Sequence, residues 1–399
     1  MRDLAQQRRI GFTVFNVIIL GIASLLTDIS SEMVYPLIPL YLISIGASSS
    51  IIGLIEGMAE SIASLLRVFS GYWSDKVQQR KPLTIVGYGM STVGKFILFL
   101  STTWPLVLIG RLADRFGKGI RTAPRDALIA DSTPPGQRGR AFGLHRTLDA
   151  AGASLGVLVA YLFLLSLHAK YRSIFLFSVI PGVLGVFALF FVREKITKRI
   201  PQTASNGKLK EPWWMDLGTR WRALDRKLKI FLVIIFIFAL GNSSNQFLLL
   251  RGQTLGYDAA TVLLMYLLYN VVKSLGSWPA GRLSDRIGRK TLLVLGYVAY
   301  GIVYVGFAIA SAPALWCLFV IYGIYIAFTE GVEKALVSDI APPEQRATLM
   351  GLHATFTGIG LLPASLIAGF LWDAFGPQAT FYFGGGMGIL AALALWLLI

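Results

Sequence analysis

Between residues 111 and 125 the chain places five cations, Arg111, Arg115, Lys118, Arg121 and Arg125, and one acid, Asp114, largely at spacings of three and four. On a helix advancing about 100° per residue, all six fall within a stripe roughly 120° wide. Acids that could answer them stand in three other segments: Asp28 and Glu32 one turn apart, Glu56 and Glu60 again four apart, and Asp149. Each group sits inside an apolar stretch, where an ionisable side chain is costly and normally faces a partner or a wet cavity. A carboxylate held between desolvation and a neighbouring cation can take up and release a proton. Asp28, Glu32, Glu56, Glu60 and Asp149 are therefore candidates for proton coupling, and Arg111, Asp114, Arg115 and Lys118 for contact with a charged substrate. The same groups could instead form a fixed salt-bridge network. Metal coordination has little support, because the chain holds only three His and one Cys. No metal or cofactor is expected.

These groups must be positioned by the apolar segments that carry them. Hydrophobic residues make up 55% of the 399 residues and charged ones 15%, against about 25% charged in a soluble domain. Runs long enough to cross a hydrocarbon layer of roughly 30 Å are expected at 13–43, 50–70, 82–102, 105–130, 139–167 and 173–192. A second set is expected at 229–250, 260–280, 291–311, 314–339, 347–371 and 378–398. That is an all-α membrane protein with twelve spans. The seventh span keeps polarity without charge through Asn242, Ser243, Ser244, Asn245 and Gln246. With Tyr266, Asn270 and Lys273 in the eighth span and Tyr322 and Tyr325 in the tenth, Asn242 and Asn245 are expected to offer hydrogen bonds and aromatic surface to substrate.

The two sets are copies of one half. Residues 127–145 (ALIADSTPPGQRGRAFGLH) return 208 positions later as 335–353 (ALVSDIAPPEQRATLMGLH), with ten of nineteen positions identical. Solenoid repeats run to roughly 20–50 residues, so this is a duplicated six-helix unit, the way many secondary transporters are built. The expected organisation is a first half at 1–192, a linker at 193–228 and a second half at 229–399. Within the linker Trp213, Leu217, Trp221, Leu224 and Leu228 recur at helical spacing, as in a helix lying at the membrane surface or covering the bundle. With this topology 24 Lys and Arg lie on the side of the N-terminus and 3 on the other, so both termini are expected in the cytoplasm. The net charge of +16 then reflects topology and lipid contact, and no nucleic-acid partner is expected. Cys317 is alone, so no internal disulfide can form. The first apolar run is too long for a signal peptide and is expected to be retained.

Residues 281–290 read GRLSDRIGRK and residues 71–81 read GYWSDKVQQRK. This pair, at the junction of the second and third helix of each half, resembles the signature of the major facilitator superfamily. The first copy carries one extra residue and has Gln79 where the signature has glycine. Asp75 and Asp285 stand at helix ends beside cations, where such contacts can break and reform as a protein changes conformation. The resemblance implies that Gly71, Asp75 and Arg80, with Gly281, Asp285, Arg286, Gly288 and Arg289, form a conformational latch. It also implies that helices 1, 4, 7 and 10 line a central cavity. Arg115 with Gly119 is similar to the fourth-helix arginine motif of proton-coupled members, with Lys118 in place of a frequent glutamine. The fifth helix, LDAAGASLGVLVA, resembles an antiporter motif, with Val157 where that motif has proline. Its Gly152, Ala153 and Gly156 permit close helix contact.

The resulting expectation is a multi-pass inner-membrane transporter working by alternating access. It would be a proton-coupled exporter of an organic anion, zwitterion, metal chelate or drug, acting as a monomer in the lipid bilayer. Proton-coupled uptake of a small organic anion is the alternative, and a transporter-like membrane sensor a remoter one. No nucleophile–base or metal constellation supports an enzyme.

Overall fold

The computed structural model describes residues 2–77, 79–134, 138–167, 170–194, 224–340 and 346–399, and every regular element among them is helical. Twelve spans follow one another close to the expected positions. We label them α1 (Arg2–Val34, a 3-10 turn Tyr35–Leu37, then Ile38–Ser44), α2 (Ser49–Val77), α3 (Arg80–Leu100), α4 (Trp104–Ser132), α5 (Arg138–Leu167) and α6 (Tyr171–Phe190). The second set is α7 (Arg226–Gly241 and Gln246–Thr254), α8 (Ala259–Ile287), α9 (Arg289–Ile309), α10 (Ala314–Ile340), α11 (Arg346–Phe375) and α12 (Pro377–Leu398). Long helices are the required solution in hydrocarbon, where each backbone group must be paired within its own segment. Among the described residues, ten of these spans are long and apolar enough to cross a membrane. The other two are α2 and α4, which carry the Glu56/Glu60 pair and the cation stripe. Arg138 and Arg346, in the duplicated segment, open α5 and α11.

Two spans are interrupted. In α1, Pro36 lacks an amide hydrogen and Pro39 sits in the first turn of the next piece, so the helix stops and restarts. In α7 the break falls at Gly241, after which Asn242 leaves the helical region (φ −87°, ψ 72°). Shifting Tyr35–Leu37 by the 208 positions of the repeat lands on 243–245, so the duplication carries the interruption with it.

The chain forms two compact units, Met1–Tyr35 with Leu66–Lys210, and Pro36–Leu65 with Glu211–Ile399. Most of the expected linker, residues 195–223, lies outside the described residues. In the first unit α3 and α4 cross closely, because glycines recur every seven residues on both: Gly87 and Gly94 against Gly110 and Gly117. A Cβ on Gly94 would lie 2.6 Å from the Gly110 carbonyl oxygen. The expected close contact of α5 is also present, since a Cβ on Gly152 or Gly156 would lie 2.5 Å from the carbonyl oxygen of Leu25 or Ile29 in α1. In the second unit, residues 36–65 from the first repeat pack on helices of the second. Ser61 Oγ donates to the Gly358 carbonyl (2.6 Å), and the Asp373 carboxylate accepts from the amides of Ser49 (3.0 Å) and Ser50 (2.8 Å). The piece Ile38–Ser44 touches Gln246–Thr254.

Candidate functional site

The first unit holds a buried charge cluster built on the α3–α4 crossing. Asp114 lies 3.2 Å from Arg111 Nη1 and 3.5 Å from Lys95 Nζ, with the three side chains 7%, 2% and 1% exposed. Ser91 Oγ donates to the Asp114 carbonyl (2.9 Å), tying the same turn of α4 to α3. The rest of the stripe divides between two neighbours. Arg121 lies over the Tyr88 ring of α3 (4.2 Å) and 4.0 Å from Asp28 of α1. Arg111 and Arg115 lie 5.3 and 5.4 Å from the ring centre of Tyr35, at the interruption of α1. Arg125 engages Asp126 (2.9 Å) and Ser24 (3.1 Å). Asp149 lies 3.4 Å from His145 Nδ1, and Lys118 and Glu32 are half-buried. Glu56 and Glu60 are not part of this unit; they belong to the piece of α2 in the second.

The second unit, which also buries Glu56 and Arg251, gathers uncharged polar and aromatic side chains around the interruption of α7. The Gly241 carbonyl, left without its helical partner, accepts from the Tyr300 hydroxyl (2.7 Å). Asn245 Oδ1 accepts from the Tyr322 hydroxyl (2.7 Å). Aromatic rings surround these bonds: Phe238 stacks on Tyr297 (3.9 Å), Tyr300 lies tilted against Tyr304 (4.1 Å), and Tyr322 meets both Tyr269 and Tyr325 (5.3 Å each). Tyr266 joins through Tyr269 (5.4 Å). Gln246 is fully buried, and neither atom of its amide has a hydrogen-bond partner among the described residues. Such a group costs about 1–3 kcal/mol unless something meets it. Asn242 is half-buried at the break, and Asn270 donates to the Tyr266 carbonyl (3.2 Å). Lys273 forms an ion pair with Glu330 (3.2 Å).

At the membrane face where α3 begins, Arg80 pairs with Asp131 and donates to the Ala127 carbonyl (2.9 Å). The signature is thereby joined to the duplicated segment. Gly288 adopts φ 89°, a left-handed conformation that suits glycine, whereas Gln79 in the first copy is extended (φ −118°). The extra residue and missing glycine thus change the turn. Gly71 packs near Ala123, Arg286 and Gly288 are exposed, and Arg289 is half-buried. Asp75, Gly281 and Asp285 have side-chain surroundings outside the described residues.

Sequence reasoning missed Lys95, Tyr297, Tyr300, Tyr304 and Asp373. The tyrosines had a signal, their i, i+3, i+7 spacing on one face of α9. Lys95 had a weaker one, as a lone cation in an apolar helix. Asp373 had none, because its partners lie more than 300 residues away.

Two repeats of six helices, each opening with an interrupted helix, define a duplicated multi-pass membrane protein of the secondary-transporter class. The family model of the Major Facilitator Superfamily matches residues 20–329 and 230–399, and the chain belongs to this superfamily of transporters, which bind small-molecule substrates within a membrane and are not enzymes. An uncharacterized MFS-type transporter of Methanocaldococcus jannaschii is 41% identical over 387 residues, covering 95% of this chain and 94% of its own. A multi-drug resistance efflux pump, PmrA, of Streptococcus pneumoniae is 25% identical over 385 residues, covering 92% of each. Among solved structures, a mutant of the nucleoside transporter NupG superposes with a TM-score of 0.83 at 15% identity, over 96% of this chain and 99% of that one. That likeness concerns the fold.

Proposed function

We propose that the protein is a proton-coupled exporter that moves a small organic anion, zwitterion, metal chelate or drug across the inner membrane by alternating access. The observation that carries this reading is the unequal burial of charge in the first unit. Among its described residues Lys95, Arg111, Arg115 and Arg121 are each more than nine-tenths buried, and Asp114 is the one acid buried as deeply. Such a cation excess inside a membrane calls for a compensating anion. A substrate carboxylate or phosphate can supply it, and so can the coupling acids of the same unit, Asp28, Glu32 and Asp149, when deprotonated; Glu56 and Glu60 are taken as coupling acids of the second unit. The ring-lined interruption of α7 offers hydrogen bonds and aromatic surface to substrate, consistent with the use of broken helices at transporter sites. Export is supported by the resemblance to the protein named as a multidrug efflux pump. The reading further takes both termini as cytoplasmic, residues 193–228 as the linker between functional halves, the two signature loops as latches, and a monomer as the working unit.

Proteoliposomes with an imposed pH gradient test it. Gradient-driven flux of organic anions is expected for the wild type, with Arg115→Ala and Asp28→Asn losing coupled flux while remaining folded. Absence of gradient-dependent flux across anions, metallophores and drugs would remove the reading. Wild-type flux in either variant would return that residue to a purely structural role.

A further inference from the structure

A cavity of about 520 Å³ lies in the first unit beside Phe15 of α1, where α3 begins and α6 ends, with Lys81, Arg193 and Glu194 in its wall beside Phe190 and Phe191. Its volume falls in the range of roughly 300–1,000 Å³ typical of small-molecule sites. The wall is held firmly. Asn16 Nδ2 donates to the Arg193 carbonyl (2.8 Å), and the Arg193 amide donates to Asn16 Oδ1 (3.0 Å). Glu194 accepts from the amides of Arg80 (2.7 Å) and Lys81 (3.0 Å), so its charge is matched by the first turn of α3. The two cations are not so consumed. Lys81 Nζ gives one hydrogen bond to the Phe190 carbonyl (2.8 Å), and an ammonium has three to give. The Arg193 guanidinium lies over the Phe15 ring, 5.6 Å from its centre, and the residue is exposed. Beside them Phe190 and Phe191 are more than half exposed, on an end of α6 that also exposes Phe187.

The geometry points to a site for an anionic glycerophospholipid, its phosphodiester between Lys81 and Arg193 and its acyl chains along Phe190 and Phe191. A net positive cavity at the rim of a membrane bundle suits a lipid phosphate. The apolar shelf suits the chains attached to it, which a free phosphate lacks. None of the groups proposed for coupling or substrate binding lines this cavity, so the inference stands apart from the transport reading.

Native mass spectrometry of the full chain in detergent tests it, with titrations of phosphatidylglycerol and of phosphatidylcholine bearing the same acyl chains. Wild type is expected to hold one phosphatidylglycerol in preference to phosphatidylcholine. At about fivefold per cation, Lys81→Gln with Arg193→Gln should weaken that first binding step by about 25-fold, leaving phosphatidylcholine binding unchanged. Arg193→Gln alone keeps the Lys81 contact and should lose about fivefold, and it stands in if the double variant does not fold. Equal binding of the two lipids, or an undiminished preference in both variants, would overturn the site. Full competition by inorganic phosphate would reassign it to a soluble anion and overturn the lipid proposal.

Discussion

The α3–α4 crossing and the α9–α10 crossing occupy equivalent places in the two repeats, yet their interiors are built from opposite materials. Residues 81–95 and 290–304 align at a constant offset, with Lys81/Lys290, Leu83/Leu292, Gly87/Gly296 and Tyr88/Tyr297 unchanged. In that register Ser91 becomes Tyr300 and Lys95 becomes Tyr304. On the partner helix the offset of 208 sets Asp114 against Tyr322 and Gly117 against Tyr325. The Lys95–Asp114 ion pair at 3.5 Å is thus replaced by Tyr304 and Tyr322, whose rings stand 6.2 Å apart. Glycines at 94, 110 and 117 bring the first pair of backbones together. At the matching places the second repeat has Val303, Leu318 and Tyr325, and rings fill the interface. One ancestral address has become a buried charge in the first repeat and a neutral aromatic wall in the second.

The sharpest way to break this comparison is Asp114→Asn. If the acid is what allows Lys95 and Arg111 to stay buried, removing it takes the shared carboxylate from two buried cations and costs about 3–5 kcal/mol. Thermal unfolding in detergent should show a large drop, partly recovered by adding Lys95→Met. A melting temperature equal to wild type would mean that charge pairing does not hold the first crossing. A smaller effect is expected from Gly117→Val. A Cβ there would lie 2.6 Å from the Ser91 amide nitrogen, and both atoms belong to packed helices with little room to yield. Overpacking of this kind costs about 1–3 kcal/mol. Unchanged stability would show that the crossing tolerates separation, and that glycine is not what brings Lys95 to Asp114.

The fold was legible because its determinants are local. Apolar length sets each span, and the Arg residues that open α5 and α11 stand where the duplicated segment placed them. The site was legible where polarity stands out against an apolar background, as it does for the cation stripe and for Asn245. It was illegible where the meaning of a residue depends on its neighbour across a crossing. The stripe reads in sequence as one continuous polar face, but α3 takes Asp114 and Arg121 while the broken end of α1 takes Arg111 and Arg115. Periodicity reports which side chains share a face, not how two neighbouring helices divide it. The grouping of Glu56 and Glu60 with the second unit is similarly a matter of three-dimensional packing, settled by the contacts of α2 with α11.

The mildest change probes the neutral side. Tyr322→Phe removes a single hydroxyl and with it the bond to Asn245 Oδ1, while keeping the ring against Tyr269, Tyr304 and Tyr325. A net loss of about 1 kcal/mol is expected, readable as a small shift in thermal unfolding. The position equivalent to Tyr322 is Asp114, so the two substitutions weigh the same address in the two repeats. If aromatic packing carries the second crossing, the ratio of effects should be about three to one or more. A Tyr322→Phe loss as large as that of Asp114→Asn would place the stability of the second crossing in its hydroxyl network instead. The orphaned amide of Gln246, next to Asn245, would then belong to that network, and the uncharged interior would be as dependent on paired polar groups as the charged one.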